Sequence, residues 1–456
     1  MFYLYEAVFE QRRSRQAEAD QTDAESGSIP SILFTRNSGM RVAIGLAIVV
    51  ATPLWAQTPP PSGSVDTAMA AYDNGRYLEA TDKLAALAFD THGKSTDEFA
   101  FQMWEQVSST VTNELDLATL DKSRPPTPAN TEWDEAIAGS VGRDAIAEIV
   151  RRARSTGIVI LNEAHSNPRD RAFAWRVAQA LRPLGYSLLA AETFDNEPPY
   201  GGKPTVVERL AQDRFARIGT GFYTRDPVYA AFLRNAIAIG YQPVSYEQNS
   251  LQRPKGDLPR RRSIETREQA EADNLMTIHR QLPTAKLLIY VGHSHVAEAA
   301  MDEEGGGKIE WMAARLKRMT GIDPLTIDQT TVTDVPSSTR QSYHMAAARI
   351  ANRDGILFEG DRPLVLGQYA GAVDVQVVHP RRSYRYGRPA WLAELGGQPL
   401  PIPKSLVPTD GHRLIQVFAA AAPADAVPLD QLVVRAGFPP AMLIAPRERV
   451  RFVTQP

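Results

Sequence analysis

Two short stretches of this sequence set ionisable side chains two residues apart. Glu163 and His165 form one pair, in Asn162-Glu163-Ala164-His165, and His293 and His295 form the other, in Gly292-His293-Ser294-His295. Residues two apart share a face in extended chain, so each pair can aim its side chains together. Glu192 and Glu247 each close an apolar run. Carboxylates and imidazoles that converge do one of two kinds of chemistry: they move protons as general acids and bases, or they hold a divalent cation. Cysteine is absent. That excludes a thiolate nucleophile, Cys-ligated zinc, a disulfide framework and a lipidated Cys. A metal set drawn from Glu163, His165, Glu192 and His295 would offer only oxygen and imidazole nitrogen, which suits Mn, Zn or Fe.

These residues need elements to position them. GIVIL (157–161), SLLAA (187–191), YQPVSY (241–246) and KLLIYV (286–291) read as four short buried strands. Each runs into an ionisable residue: Glu163 and His165, then Glu192, then Glu247, then the His293-Ser294-His295 cluster. Helical stretches are expected over 143–154, from Asn167-Pro168 to Leu181, over 227–238, over 264–282, from about Val296 and over 308–320. Asn167 and Pro168 offer an N-cap and a first-turn proline. Strands alternating with helices predict an α/β fold, a mostly parallel sheet with helices on both faces. In such sheets ligands bind outside the carboxyl ends of the strands, where these residues stand. Ser294 follows a strand and brushes against a Gly-x-Ser-x-Gly nucleophile elbow. Val296 replaces the last glycine, where a Cβ would crowd the sharp turn, and no HGGG-type segment precedes it.

The rest of the chain reads as accessory. Residues 1–39 are polar and without apolar period, and are expected to be disordered or untranslated. Met40-Arg41, the apolar run Val42 to Ala51, and Leu54-Trp55-Ala56 before Gln57 predict a signal peptide over 40–56. The protein is therefore expected to be exported, periplasmic or secreted, with no integral membrane span in its mature form. Residues 66–121 read as helical. Within them Tyr72, Gly75, Tyr77, Ala80 and Leu84 resemble one tetratricopeptide-type hairpin, which cannot bury its own face and should lean on the main domain. A proline-rich linker at 122–133 predicts a separable module. The core is expected over 133–330, and a C-terminal extension with short strands of unassigned topology over 331–456. A net charge of −3 gives no electrostatic case for nucleic acid. Arg260-Arg261-Arg262, among Pro and Gly, reads as a solvated loop.

At the strand ends a family resemblance emerges. ILNEAHSNPRDRAFAWRVAQALRPLGYSLLAAETF resembles the opening motif of the erythromycin esterase / ChaN / Tiki–TraB superfamily. Arg267-Glu268 with Ala272-Asp273-Asn274 resembles a later helical motif of the esterase branch, and LLIYVGHSHV the closing Gly-x-x-His element. The resemblance covers about 158–300. It implies Glu163, His165, Glu192 and His295 as the site acids and histidines. It implies supporting roles for Glu247, Arg267 and His293, and for either Arg169 or Arg171 as the motif arginine. Asn162 stands where the usual Gly precedes the first Glu, and predicts a tighter backbone around a substrate. The resemblance implies a hydrolase acting on a small-molecule or peptide substrate, in which His165 or Glu163 deprotonates water, Glu192 orients the base or helps hold a metal, and His295 polarises the carbonyl or completes the metal shell. Its other branch implies a haem- or iron-binding uptake protein, for which Tyr384-Arg385-Tyr386 offers candidate ligands.

Overall fold

The computed structural model describes residues 63–456, apart from 115, 124–128, 200, 257, 304–305, 336–338 and 439–440. The expected signal peptide at 40–56 and the segment 1–39 lie outside the described residues. Strands β1 (Val141–Asp144), β2 (Ile158–Glu163), β3 (Tyr186–Ala191), β4 (Gln242–Val244) and β5 (Lys286–Gly292) come first. The small hairpin β6 (Met301–Asp302) and β7 (Lys308–Ile309) follows, then β8 (Leu325–Asp328), β9 (Gly355–Glu359), β10 (Arg362–Pro363) and β11 (Val375–Val378). One sheet takes nine of them in the order β1-β9-β11-β8-β2-β5-β3-β4, with β10 paired to β9. Pairing is parallel from β11 through to β4 and antiparallel at the β9 and β1 end.

The β-branched run Ile158-Val159-Ile160 makes β2 a strand buried on both faces, and alternation splits it between two cores. Val159 and Leu161 join Tyr290 and Leu189 on one face, under the helices Pro168–Leu181 and Pro227–Ala238. Ile158 and Ile160 join Leu188, Ile289 and Val291 on the other, under the helices Arg260–Gln281 and Met312–Thr320. Each buried aliphatic side chain contributes roughly 1.5–3 kcal/mol, so the sheet is held from both sides. The α/β architecture with helices on both faces is thus observed.

Several boundaries depart from the sequence reading. The expected core limit at 330 cuts the sheet, because β9 and β11 lie beyond it and pair with β1 and β8. The helix expected from about Val296 is one 3-10 turn, His293–Val296. The chain then enters the β6–β7 hairpin, with Gly306 and Gly307 at φ +93° and +91°, and helix resumes only at Met312. Arg260-Arg261-Arg262 is the first turn of a long helix, not a loop. The helices Val65–Asp73 and Tyr77–Ala88 form a hairpin turned at Gly75 (φ +70°). The buried side chains of that hairpin and of the helix Glu98–Thr112 belong to the same core as Val159 and Leu161. A three-stranded antiparallel sheet, with His412–Ala419 between Asp430–Arg435 and Val450–Gln455, completes the C-terminal region. Among the described residues no helix is long and apolar enough to cross a membrane.

Candidate active site

Alternation along the strands delivers Glu163 and Glu192 to opposite faces of the sheet, each meeting an arginine from the helix that covers that face. On the first face Arg171, from the helix Pro168–Leu181, grips Glu163 with Nε at 2.8 Å and Nη2 at 2.9 Å. The Tyr290 hydroxyl donates to the same carboxylate at 2.8 Å, and His165 Nδ1 lies 2.9 Å from Oε1. Arg171 also donates to Asp226 at 2.7 Å and to the His165 carbonyl at 2.9 Å. Asp226 in turn caps the helix Pro227–Ala238 by accepting from Val228 and Tyr229. Burial opposes ionisation of Glu163, but the Arg171 charge and the hydrogen bonds from His165 and Arg171 overcome it and hold its pKa at about 2. With Glu163 ionised, Nδ1 carries the imidazole proton and Nε2 is the basic nitrogen.

On the second face Arg267, from the helix Arg260–Gln281, bridges three carboxylates. It donates to Glu192 at 3.0 Å and to Glu247 at 2.7 Å and 3.0 Å, and Nε lies 3.1 Å from Glu271. Glu192 also accepts from the Gly292 amide at 2.6 Å, and His295 Nε2 stands 3.8 Å from its other oxygen. Burial opposes the Glu192 charge; His295, Arg267 and His165 outweigh it and hold the carboxyl well below the usual range. Burial also works against protonation of His295, yet Glu268, Glu271 and Glu192 raise its pKa well above the ordinary imidazole value.

Gly292 is where the two faces meet. Its φ of −87° suits any residue, so backbone freedom is not the reason for glycine. A Cβ there would collide with Cε1 and Nε2 of His165 and stand 3.0 Å from a Glu192 oxygen. The missing side chain lets the His165 ring approach Glu192 across the end of β5. Glu192 therefore stands between the two histidines, 3.8 Å from His295 Nε2 and near enough to His165 to feel its charge, while Glu163 bonds His165. His165 and His293 are the half-buried members and meet edge to face at 5.1 Å, whereas His295 is 1% exposed.

Other expected residues fall elsewhere. Arg171, not Arg169, is the arginine of the site; Arg169 pairs with Asp354 at 3.0 Å, beside His379. Glu247, given a supporting role, is 2% exposed and held by Arg267. Asn162 does not tighten the backbone around a ligand. Fully buried, it donates to Asp328 at 2.8 Å and to the His293 carbonyl at 3.1 Å, stapling β2 to the neighbouring strand ends. The strained backbone position is His293, at φ +39°, and not Ser294, which faces the Tyr369 hydroxyl at 3.5 Å. A nucleophile elbow would place that strain on the serine. Tyr384 and Tyr386 lie exposed on the surface, and the Tyr384 hydroxyl bonds Glu114.

The expected metal set does not fit. A carboxylate offers about four acceptor directions, and Glu163 spends them on Arg171 twice, Tyr290 and His165. A different group, Glu268, Glu271 and His295, brings ligand atoms within 4.8 Å of one another, all buried. The sequence pattern marks Glu268 only as part of the Arg267-Glu268 motif, without a ligand role, and does not single out Glu271. Tyr223, which stacks on His165, comes from an irregular segment and gave no signal.

No protein-family model and no curated protein matches the chain. Among solved structures it is similar to RRSP, a MARTX toxin effector domain from Vibrio vulnificus CMCP6, at 14% identity over 56% of this chain and 54% of that one, with a TM-score of 0.30. A structure described as bacterial protein toxins matches at 14% identity over 59% and 57%, with a TM-score of 0.32. The C-terminal region of Pasteurella multocida toxin, described as having a thiol-protease-like catalytic triad, matches at 10% identity over 84% and 61%, with a TM-score of 0.27. The chain thus covers less than two thirds of each. Likeness this remote carries no functional argument.

Proposed function

We propose that this protein is a hydrolase of the erythromycin esterase / ChaN / Tiki-like type, in which His165 activates water against an ester or peptide carbonyl. The observation that carries the reading is the Glu163–His165 dyad, with Glu163 clamped by Arg171 and Tyr290 and Nδ1 of His165 against its Oε1. Nε2 takes a proton from water while the oxygen attacks the carbonyl carbon. Glu163 holds the ring and stabilises the imidazolium, with Glu192 adding negative charge on the far side. In this reading His293, which meets His165 edge to face, donates to the developing oxyanion. Collapse of the tetrahedral adduct returns the His165 proton to the departing alkoxide or amine. Export through the segment 40–56 belongs to the same proposal, and native protein should then begin close to Gln57.

The test is a screen of ester and peptide substrates with wild type, Glu163→Gln and His165→Ala in parallel. Removing a catalytic base costs about 10²–10⁴-fold in rate. Turnover that survives both substitutions in folded protein would overturn the assignment.

A further inference from the structure

The helix Arg260–Gln281 carries Glu268 and Glu271 on its buried side, facing His295 from the turn after β5. Both glutamates are fully buried and His295 is 1% exposed. Nδ1 of His295 lies 3.0 Å from Glu268 Oε1 and 3.4 Å from Glu271 Oε2. Separations of this size are those of donors sharing one small ion at about 2.1 Å. We propose that Glu268, Glu271 and His295 form a divalent-cation site of oxygen and imidazole donors, suited to Mn(II), Zn(II) or Fe(II).

Two independent observations support it. The first is incomplete hydrogen bonding: Glu268 Oε1 and both Glu271 oxygens are buried and accept no well-formed hydrogen bond, touching only the cationic groups His295 Nδ1, at 3.0 Å and 3.4 Å, and Arg267 Nε, at 3.1 Å. The buried Tyr246 hydroxyl also lacks a well-formed hydrogen bond, and among charges it feels Glu271 most. A buried carboxylate oxygen left unmatched is costly, and a cation is the natural complement. Glu268 Oε2 accepts from the Met312 amide at 2.6 Å, which fixes the carboxylate and turns Oε1 toward the proposed ion. The second is charge. Glu192, Glu247, Glu268 and Glu271 are all buried around one guanidinium, that of Arg267, and one imidazole. With all four ionised, negative charges would exceed positive ones by two even with His295 protonated, and in the absence of a cation burial and the neighbouring carboxylates push the Glu271 pKa well above the usual range. A divalent ion supplies that balance.

The ion would bind the Nδ1 side of His295, whose Nε2 faces Arg267 Nη1 at 3.3 Å and Glu192 at 3.8 Å. It would thereby fix that ring's orientation from behind the proposed reaction centre. The site stands on geometry and charge alone and does not depend on the hydrolytic reading.

The test reads metal, not turnover. Protein purified without chelator or immobilised metal is analysed for bound Mn, Zn and Fe. Chelator-stripped protein is then titrated with each ion while the unfolding temperature is followed. About one ion per chain is expected, with a rise in unfolding temperature on reloading. Glu268→Gln and Glu271→Gln should lower metal affinity by about tenfold or more while keeping the fold. Glu163→Gln should not change metal content, because that carboxylate lies on the other face. Less than about a tenth of an ion per chain, no thermal response to any of the three ions, and a Glu271→Gln protein as stable as wild type would overturn the site. A neutral carboxylic acid would then occupy that position.

Discussion

The imidazole of His165 lies flat on the phenol of Tyr223, with ring centroids 3.9 Å apart and planes 9° from parallel. Tyr223 is itself fixed to the end of β3, since its amide donates to the Thr193 hydroxyl at 3.1 Å, one residue beyond Glu192. His165 is thus held on its edge by Glu163 and on its face by Tyr223.

The stack predicts a split between two substitutions. Tyr223→Phe keeps the aromatic face and should retain kcat/KM within a few fold. Tyr223→Ala frees the ring to rotate, and misplacement of about 1 Å can cost on the order of 10²-fold. Steady-state kinetics on any substrate the wild type turns over checks this. Equal kinetics for the two variants would show that the stack does not position the base.

Gly292 and Ser294 give a second contrast within one turn. Gly292→Ala is permitted by its backbone but drives a Cβ into the His165 ring. It should cost about 10²-fold or more in kcat/KM with only a small change in unfolding temperature. Ser294→Ala should be nearly silent, and a serine-directed fluorophosphonate should leave the protein unlabelled. Stoichiometric labelling at Ser294 would reinstate the nucleophile elbow.

The Glu163 charge predicts a pH dependence of known sign. Its folded pKa is depressed from 4.5 to about 2, so it stabilises the fold above about 4.5 and loses that contribution as pH falls toward 2. The full contribution is of the order of 3 kcal/mol. Glu163→Gln should therefore be less stable than wild type at pH 7, with the difference shrinking between about pH 5 and pH 2. Denaturant unfolding at a series of pH values measures it. A difference that is constant with pH would mean that Gln loses packing or hydrogen bonds, and not charge.

How much of this was legible in the sequence depends on how local the cause is. β2, β3 and β5 are short apolar runs whose burial follows from composition, and the acids and histidines that follow them stand at the strand ends as the pattern requires. The choice of Arg171 over Arg169 was not legible. Both are on one helix, two residues apart, and only the packed orientation sends one to Glu163 and the other to Asp354. Glu268 stood out only as part of the Arg267-Glu268 motif and Glu271 not at all, and it is their complete burial that sets them against His295. The membership of β9 and β11 in the main sheet was hidden because edge pairing is decided by contacts far apart in sequence.

The helical hairpin leans on the main domain, as a single unit of its kind must, and it supplies the last prediction. A proline-rich linker suggested a removable module, yet Tyr72 packs edge-on against Phe222 at 5.5 Å and against Tyr77 at 5.4 Å. The Tyr77 hydroxyl donates to the Arg225 carbonyl at 2.9 Å, and Arg225 pairs with Asp73 at 2.6 Å. These contacts bracket Tyr223, so the hairpin braces the segment that stacks on His165. Tyr72→Ala should cost about 3–5 kcal/mol, as large aromatic truncations in a core do. The folded fraction of that variant should also lose activity, because Phe222 and Tyr223 shift together. Deleting residues 63–121 would strip the cover from the face that carries Val159 and Leu161, and should give an aggregating protein. Solubility, unfolding temperature and kcat/KM of the two variants decide the matter. A soluble deletion protein with full turnover would show that the hairpin is an appendage after all.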